Sequence, residues 1–260
     1  MKPTIYEHFH PEEKPFIDRA EEWIERSAQL HELRRTDFLD PRQGEIVAML
    51  ANRNGDVTVR LEGGHPGAER KRAIIAPDYR HLEDEPMGIA VLEVTAPGTS
   101  FAALDHGDFL GSILGLGVKR DVIGDIHPHD SFCHILVTEE MADYVLIHLR
   151  QVHRIHVLSE LLPLEKLKPA VQKLEETSLS VASMRLDGIA SDVFRISRSK
   201  VVDPIRAGRC RVNWRTEENP STLLNEGDVV SMKGLGRFKV LQVDGMTKKG
   251  RIRVAIGKFI

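Results

Sequence analysis

The chain has 260 residues, of which 41% are hydrophobic and 29% charged, the balance of a soluble globular protein with two or three small domains. No run of residues is long and apolar enough to predict a membrane span, and the N-terminal residues lack the apolar core of a signal peptide. The two cysteines, Cys133 and Cys210, have no close partner in the sequence, so we expect a reducing cytoplasm and no cysteine-rich zinc site.

Charge is distributed unevenly beneath the net value of −3. Residues 183–260 carry 16 Lys and Arg against 8 Asp and Glu, a net charge of +8, whereas the rest of the chain carries −11. A basic segment attached to an acidic body predicts a polyanionic partner for that segment.

The first predicted domain, residues 1–78, is an N-terminal α/β unit. Apolar residues at helical spacing from Phe16 to Ile24 predict an amphipathic helix. A turn at residues 36–41 precedes a second helix, and apolar stretches predict strands at 57–61 and 73–76.

A glycine-rich loop at residues 63–72 separates those two strands. It ends in Arg70, Lys71 and Arg72, so its backbone N–H groups and cations are predicted to give a secondary RNA contact. A hairpin loop with solvated charges is an equally good interpretation, because the Gly-Lys-Ser/Thr ending of a P-loop is missing.

Residues 79–170 are predicted to alternate as β-α-β-β-α-β, which indicates a ferredoxin-like, RRM-like domain. The aromatic stacking signature of many such RNA-binding domains is missing, since aromatic residues make up 5% of the chain. A proline-containing linker follows at residues 163–169. The predicted strands are 89–94, 121–126, 132–137 and 155–158, and the predicted helices are 109–116 and 141–149.

The third predicted domain, residues 183–260, begins with two short helices. An apolar stripe from Leu186 to Val193 forms the first helix, and Ser197 is a suitable N-cap for the second, which Gly208 ends. Pro204 leaves the geometry of the second helix open. Strands are predicted at 211–214, 228–232, 239–243 and 251–256.

Basic side chains that need not enter the core of this domain are suited to a phosphate backbone. The predicted RNA-binding residues are Arg185, Arg195, Arg198, Lys200, Arg206, Arg209, Arg211, Lys233, Arg237, Lys248, Lys249 and Arg251.

The stretch from Met184 to Trp214 resembles the S-four-type RNA-binding domain, also called the alpha-L motif. The matching residues are Arg185-Leu186-Asp187, Ser197 to Lys200, Ile205, Gly208, Val212-Asn213 and Gly227-Asp228. Together with TDFLDP at residues 36–41, GGHPGAERKR at 63–72 and DFLGSILGLGVKRDVIGDI at 108–126, the chain resembles the YlmH family over nearly its whole length.

This resemblance implies a non-enzymatic factor that binds ribosomal RNA and transfer RNA on the large ribosomal subunit during rescue of stalled ribosomes. It also implies a cytoplasmic, bacterial protein that acts beside other rescue factors. We expect a monomer without a cofactor.

Other kinds of chemistry are less well supported by the residues. His127, His129 and His134 are close in the sequence but lack a zinc-ligand pattern, so we predict no metal site. Arg185-Leu186-Asp187 is similar to the catalytic tripeptide of pseudouridine synthases, although its context favours Asp187 as a residue that braces a helix. An RNA-modifying enzyme and a protein that interacts with the cell-division machinery therefore stay as alternatives.

Overall fold

The computed structural model describes residues 9–98, 101, 104–171, 173–246 and 250–259. The chain divides into two compact units, one formed by residues 11–170 and the other containing residues 171–260. Helices and antiparallel sheets occur in both units, as expected for the predicted α+β class. Among the described residues, no helix is long and apolar enough to cross a membrane.

The N-terminal part of the first unit packs two helices on an antiparallel sheet of order β1-β3-β2. A reciprocal capping box begins the second helix, since Asp40 accepts the N–H of Gln43 at 2.8 Å and the Gln43 side chain accepts that of Asp40 at 2.9 Å. The elements are α1 (Lys14–Leu30), β1 (Arg34–Arg35), α2 (Pro41–Asn54), β2 (Val57–Glu62) and β3 (Arg72–Pro77).

The predicted apolar stripe of α1 is confirmed, because Phe16, Ala20, Trp23 and Ile24 are buried. Every residue of β3 is buried as well, which makes this strand the centre of the small sheet. Burial on both faces explains why β3 is a continuous apolar run in the sequence rather than an alternating one.

The second part of the first unit is a four-stranded antiparallel sheet of order β5-β6-β4-β9 with two helices packed against it. A second capping box, formed by Asp105 and Asp108, begins the first helix of this part. The elements are β4 (Ile89–Thr95), α3 (His106–Leu114), β5 (Ile123–Pro128), β6 (Phe132–Thr138), α4 (Glu139–His148), β7 (Gln151–Val152), β8 (Ile155–His156) and β9 (Leu158–Leu162).

The last strand of this sheet is not where the sequence placed it. The predicted strand at 155–158 is wrong, because Ile155–His156 pairs in a short hairpin with β7. The sheet's edge is β9, which pairs with β4 from Leu158 to Leu162. The hairpin and the edge strand lie within twelve residues, 151–162, and the apolar pattern alone does not separate them.

The second unit packs two short helices on a six-stranded antiparallel sheet of order β10-β15-β14-β13-β11-β12. The apolar faces of both helices are buried as predicted, at Leu186 and Ile189 in the first and at Val201 and Ile205 in the second. The elements are β10 (Leu174–Val181), α5 (Leu186–Phe194), α6 (Arg198–Arg206), β11 (Cys210–Val212), β12 (Arg215–Thr216), β13 (Val229–Met232), β14 (Gly236–Met246) and β15 (Ile252–Phe259).

Strand β10 lies between the predicted linker and the predicted start of the C-terminal domain. It pairs with β15 along its whole length, from Leu174 opposite Phe259 to Val181 opposite Ile252. Its sequence, LEETSLSV, contains few apolar residues because it is an edge strand with exposed polar side chains. A strand of this composition cannot be predicted from the pattern of hydrophobic residues.

Candidate RNA-binding surface

Asp187 joins the two helices of the second unit. Its side chain is 4% exposed and accepts two hydrogen bonds from Arg185, at 3.2 and 2.9 Å, and one from Arg198 Nη2 at 2.7 Å. Burial by itself raises the pKa of this carboxyl, but the bonds from the two arginines outweigh it and lower the pKa to about 2. Asp187 therefore braces the helices as an anion at neutral pH.

The same contacts orient the arginines. The Arg198 side chain is 55% exposed although one of its nitrogens is held by Asp187. A guanidinium has five N–H donors, so Arg198 keeps donors facing solvent in a fixed orientation. Arg185 is half-buried and uses two nitrogens on Asp187, so it contributes less exposed surface.

Helix α6 presents cations on its exposed side. Arg198, Lys200 and Arg206 are exposed, whereas Val201 and Ile205 are buried on the opposite side. The helix continues through Pro204 to Arg206, which resolves the open question about its geometry. Ser197 is the N-cap residue as predicted, but its side chain contacts Ser199 Oγ at 3.1 Å instead of capping the backbone.

A Schellman motif ends α6 and directs the chain into the sheet. Gly208 has φ +66°, its N–H bonds to Ile205 O at 3.0 Å, and the N–H of Arg209 bonds to Pro204 O at 2.9 Å. The carbonyl of Arg209 accepts the N–H of Lys233 at 3.0 Å. These bonds place two exposed cations, Arg209 and Lys233, side by side after the end of α6.

One face of the sheet carries further cations. Arg211 lies opposite Ser231, which lies opposite Arg237, so the two arginines share a face two strands apart, or roughly 10 Å. The Arg237 guanidinium lies over the rings of Trp214, at 5.4 Å, and Phe259, at 4.7 Å. Cation–π contacts of this kind hold an arginine in one orientation.

Trp214 and Phe259 were missed as members of this surface. The predicted strand at 211–214 is wrong at its end, because Asn213 and Trp214 both have positive φ and form the two-residue turn between β11 and β12. Phe259 gave no signal, because its position beside Arg237 depends on the pairing of distant strands.

Some of the other predicted RNA-binding residues lie apart from the cations on α6 and on β11 to β14. Arg195 is exposed at the C-cap of α5, beside a groove that Glu175 and Asp192 also line. Arg251 donates to the carbonyl of Ser180 at the β10 edge, three strands away from β11. Lys248 and Lys249 lie outside the described residues.

The loop at residues 63–72 does not expose the cations predicted for a secondary RNA contact. Arg70 donates to Ile123 O at 3.0 Å and Phe38 O at 2.7 Å, and burial lowers its pKa. Arg72 is 2% exposed and donates to Thr36 O and to Glu140. Neither guanidinium is available to RNA, and Lys71 is the exposed cation of the three.

An anion already occupies the backbone donors of this loop. The carboxylate of Asp125 accepts the N–H of Glu69 at 2.8 Å and that of Arg70 at 3.0 Å. The expected phosphate-binding position is therefore occupied by a side chain of the same unit. The two arginines of the loop bond instead to backbone carbonyls of residues outside the loop.

His127, His129 and His134, which are close in the sequence, have different contacts in the structure. His134 is buried, bonds through Nε2 to Glu93 at 2.9 Å, and accepts the N–H of Lys168 at Nδ1. His129 Nε2 contacts the carbonyl of Lys168 at 2.9 Å. His127 lies instead beside His65, and burial, followed by the charge of His65, lowers its pKa to about 4.

Comparisons with known protein families match most of the first unit. A model described as "YlmH, N-terminal" matches residues 12–80, and one described as "Putative RNA-binding domain in YlmH" matches residues 83–166.

Two proteins resemble the chain at greater length. A Bacillus subtilis (strain 168) protein named "Ribosome-associated protein quality control protein P2" is 34% identical over 250 residues, which is 96% of each chain. The structure titled "Cell division protein ylmH from Streptococcus pneumoniae" aligns with a TM-score of 0.55 and 26% identity, over 63% of this chain and 99% of that one.

Proposed function

The chain belongs to the YlmH family, and from that premise we propose that it is a non-enzymatic RNA-binding factor acting in quality control of stalled ribosomes. Its partners in this proposal are ribosomal RNA and transfer RNA on the large ribosomal subunit. Holding a transfer RNA in place while a nascent chain is extended requires a rigid basic surface and no reacting group.

The arginine brace at Asp187 is the observation that carries the proposal. It fixes the exposed Arg198 at the start of α6, and the Schellman motif fixes Arg209 at the other end of the same helix. Two arginines held at opposite ends of one nine-residue helix, roughly 14 Å long, are suited to two separated phosphates of a structured RNA. Such contacts give affinity and register, and shape supplies the selectivity.

The domain assignments are part of the same proposal. Residues 183–260 are taken as an S-four-type domain, residues 79–170 as a ferredoxin-like domain, and residues 1–78 as a separate N-terminal domain. The sheet order β5-β6-β4-β9 supports the second assignment, because a split βαβ fold places its first and third strands at the centre of the sheet.

Salt dependence of RNA binding tests the proposal. Affinity for a ribosomal RNA fragment would be measured from 50 to 300 mM salt for the native chain and for Arg198→Ala and Arg209→Ala. Each lost phosphate contact reduces the slope of log affinity against log salt by roughly 0.7 to 0.9. Arg53→Ala serves as the control, since Arg53 is an exposed arginine on α2 in the other unit.

The expected result is a flatter slope for the two α6 variants and an unchanged slope for the control. Equal slopes in all four proteins, with native folding verified by circular dichroism, would remove Arg198 and Arg209 from the RNA-binding surface.

A role in cell division is a second candidate, favoured by the name of the similar streptococcal protein, a cell division protein. It predicts a protein complex that survives treatment with ribonuclease. An RNA-modifying activity is less favoured, because the Asp187 carboxylate is bound by two arginines and cannot approach a base.

A further inference from the structure

Three side chains with metal-binding atoms meet where the 63–72 loop lies against β5. Asp125 and His127 flank Ile126 on the strand, and His65 reaches them from the loop. One ligand atom from each residue lies within 4.8 Å of the other two, and His65 Nε2 is 3.3 Å from Asp125 Oδ2.

The contacts of His65 place two acceptors beside one imidazole ring. Its Nδ1 lies 3.0 Å from the carbonyl of Pro66, and its Nε2 faces the carboxylate of Asp125. A neutral imidazole carries one proton, so it can donate to only one of these two acceptors. If Nδ1 donates to Pro66, a lone pair on Nε2 faces a negative oxygen, and either a second proton or a metal ion must lie between them.

His127 provides the independent observation. It is 6% exposed, and its Nε2 is enclosed without a hydrogen-bond partner. Buried polar atoms without partners are rare in folded proteins, so each one calls for an explanation. The ring of His127 lies 4.8 Å from that of His65, between centroids.

We propose that His65, Asp125 and His127 form a binding site for a divalent transition metal of the zinc type, which fastens the 63–72 loop to β5. The inference is independent of RNA binding. It revises the expectation, drawn from the sequence, that the histidines hold no metal.

The ligand set favours zinc or a similar ion. Two imidazoles and one carboxylate match zinc sites, whereas calcium and magnesium require a shell made mostly of oxygens. Zinc lies about 2.0–2.2 Å from its ligands, so ligand atoms in a tetrahedral site are about 3.4 Å apart. The His65–Asp125 pair already has that spacing, and the third ligand, which lies within 4.8 Å of the other two, must move closer by at most about 1.4 Å.

The surroundings of the cluster support the ligands in the manner usual for metal sites. The Pro66 carbonyl orients the His65 ring, and the backbone N–H groups of Glu69 and Arg70 hold the Asp125 carboxylate. The guanidinium of Arg70 also lies nearby, bonded to the carbonyl of Ile123. Its positive charge opposes the binding of any cation, so the affinity must come from the bonds of the metal to the two imidazole nitrogens.

Cobalt substitution in the full-length protein tests the site. Protein stripped with a chelator would be titrated with Co²⁺ while visible d–d absorption is recorded, and Zn²⁺ would then be added in competition. We expect one equivalent of Co²⁺ to bind with the strong absorption of a four-coordinate ion, and Zn²⁺ to displace it.

Matched histidine variants locate the ion. His65→Gln and His127→Gln should each abolish the absorbing complex, whereas His156→Gln, at an exposed hairpin residue, should retain it. If His127→Gln proves unfolded, His65→Gln decides, because His65 lies on the loop and not in the sheet and is less buried than His127. Native absorption in His65→Gln, or its absence in the unmodified chain, overturns the proposal. A doubly protonated His65 ring in nitrogen NMR spectra recorded with stoichiometric Zn²⁺ does so as well.

Discussion

At the scale of single residues, Asp187 determines how the candidate RNA-binding arginines are held. Its folded pKa of about 2 lies below the ordinary value of 3.8. A depressed carboxyl pKa stabilises the folded state above the ordinary pKa, and this contribution is lost as pH falls from about 4 towards 2. The difference corresponds to at most roughly 2 kcal/mol at neutral pH, and solvent around the exposed Arg198 and Arg185 side chains reduces it.

Asp187→Asn is therefore expected to destabilise the second unit by about 1–2 kcal/mol at pH 7 and by much less near pH 2. Unfolding in urea would be followed by the fluorescence of Trp214 in a Trp23→Phe background, since these are the two tryptophans of the chain. Asp203→Asn, at an exposed position on α6, is the control. A pH-independent loss of stability in Asp187→Asn would contradict the ionic role.

Residue identities alone predicted part of this site. Asp187 as a brace, and the exposure of Arg198, Lys200 and Arg209, follow from helix spacing and from the preference of arginine for the surface. The burial of Arg72 does not follow, because it depends on Thr36 and Glu140, which are distant in the sequence and adjacent only in the fold.

At the scale of elements, two glycines of the second unit have opposite roles. Gly208 has φ +66° after α6, a conformation that costs an L-residue about 1–2 kcal/mol. Gly188 lies within α5, and a Cβ there would meet no atom within 4 Å. Glycine inside a helix is less stable than alanine by about 0.5–1 kcal/mol.

Gly208→Ala should therefore lower the stability of the unit by about 1 kcal/mol, and Gly188→Ala should raise it by about 0.5 kcal/mol. The same tryptophan-based urea titration measures both. A Cβ at Gly208 would stand 3.4 Å from the nearest atom, Glu218 Oε1, so backbone conformation and not collision sets the loss. Two variants with the same sign of effect would refute this explanation.

Elements with a buried apolar face were predictable, and those without one were not. The stripes of α5 and α6 placed these helices to within a few residues of their observed bounds, whereas the stripe of α1 located the helix but not its end at Leu30. Strand β10 escaped because Glu175, Glu176 and Ser178 interrupt any alternating pattern, although Val181 enters the core. Its place depends on pairing with β15, which is information from more than 70 residues away.

At the scale of the whole molecule, the extent of the C-terminal unit matters for any experiment on a fragment. Residues 171–260 include β10, whereas a fragment beginning at residue 183 lacks it and leaves β15 as an unpaired edge. Unpaired edges lose hydrogen bonds and promote association between chains.

We expect residues 171–260 to fold alone and to bind RNA at low salt, and residues 183–260 to melt at a lower temperature and to aggregate more readily. Thermal unfolding monitored by circular dichroism and size-exclusion chromatography would compare the two fragments. Equal melting temperatures would show that β10 contributes little. A folded 171–260 fragment without RNA affinity would contradict the proposed location of the binding surface.

The Asp125 carboxylate, bound to the backbone of the 63–72 loop, has a consequence for competition. A tethered group acts at an effective concentration in the millimolar range or above, set by the chain that holds it in place. A phosphate from solution must displace the Asp125 carboxylate from these N–H groups. It gains little binding energy from the loop's arginines, because they already bond to carbonyls. Asp125 thereby inhibits the binding of external anions at this loop. In a chain without Asp125, the backbone N–H groups of Glu69 and Arg70 would be free to bind an anion from solution.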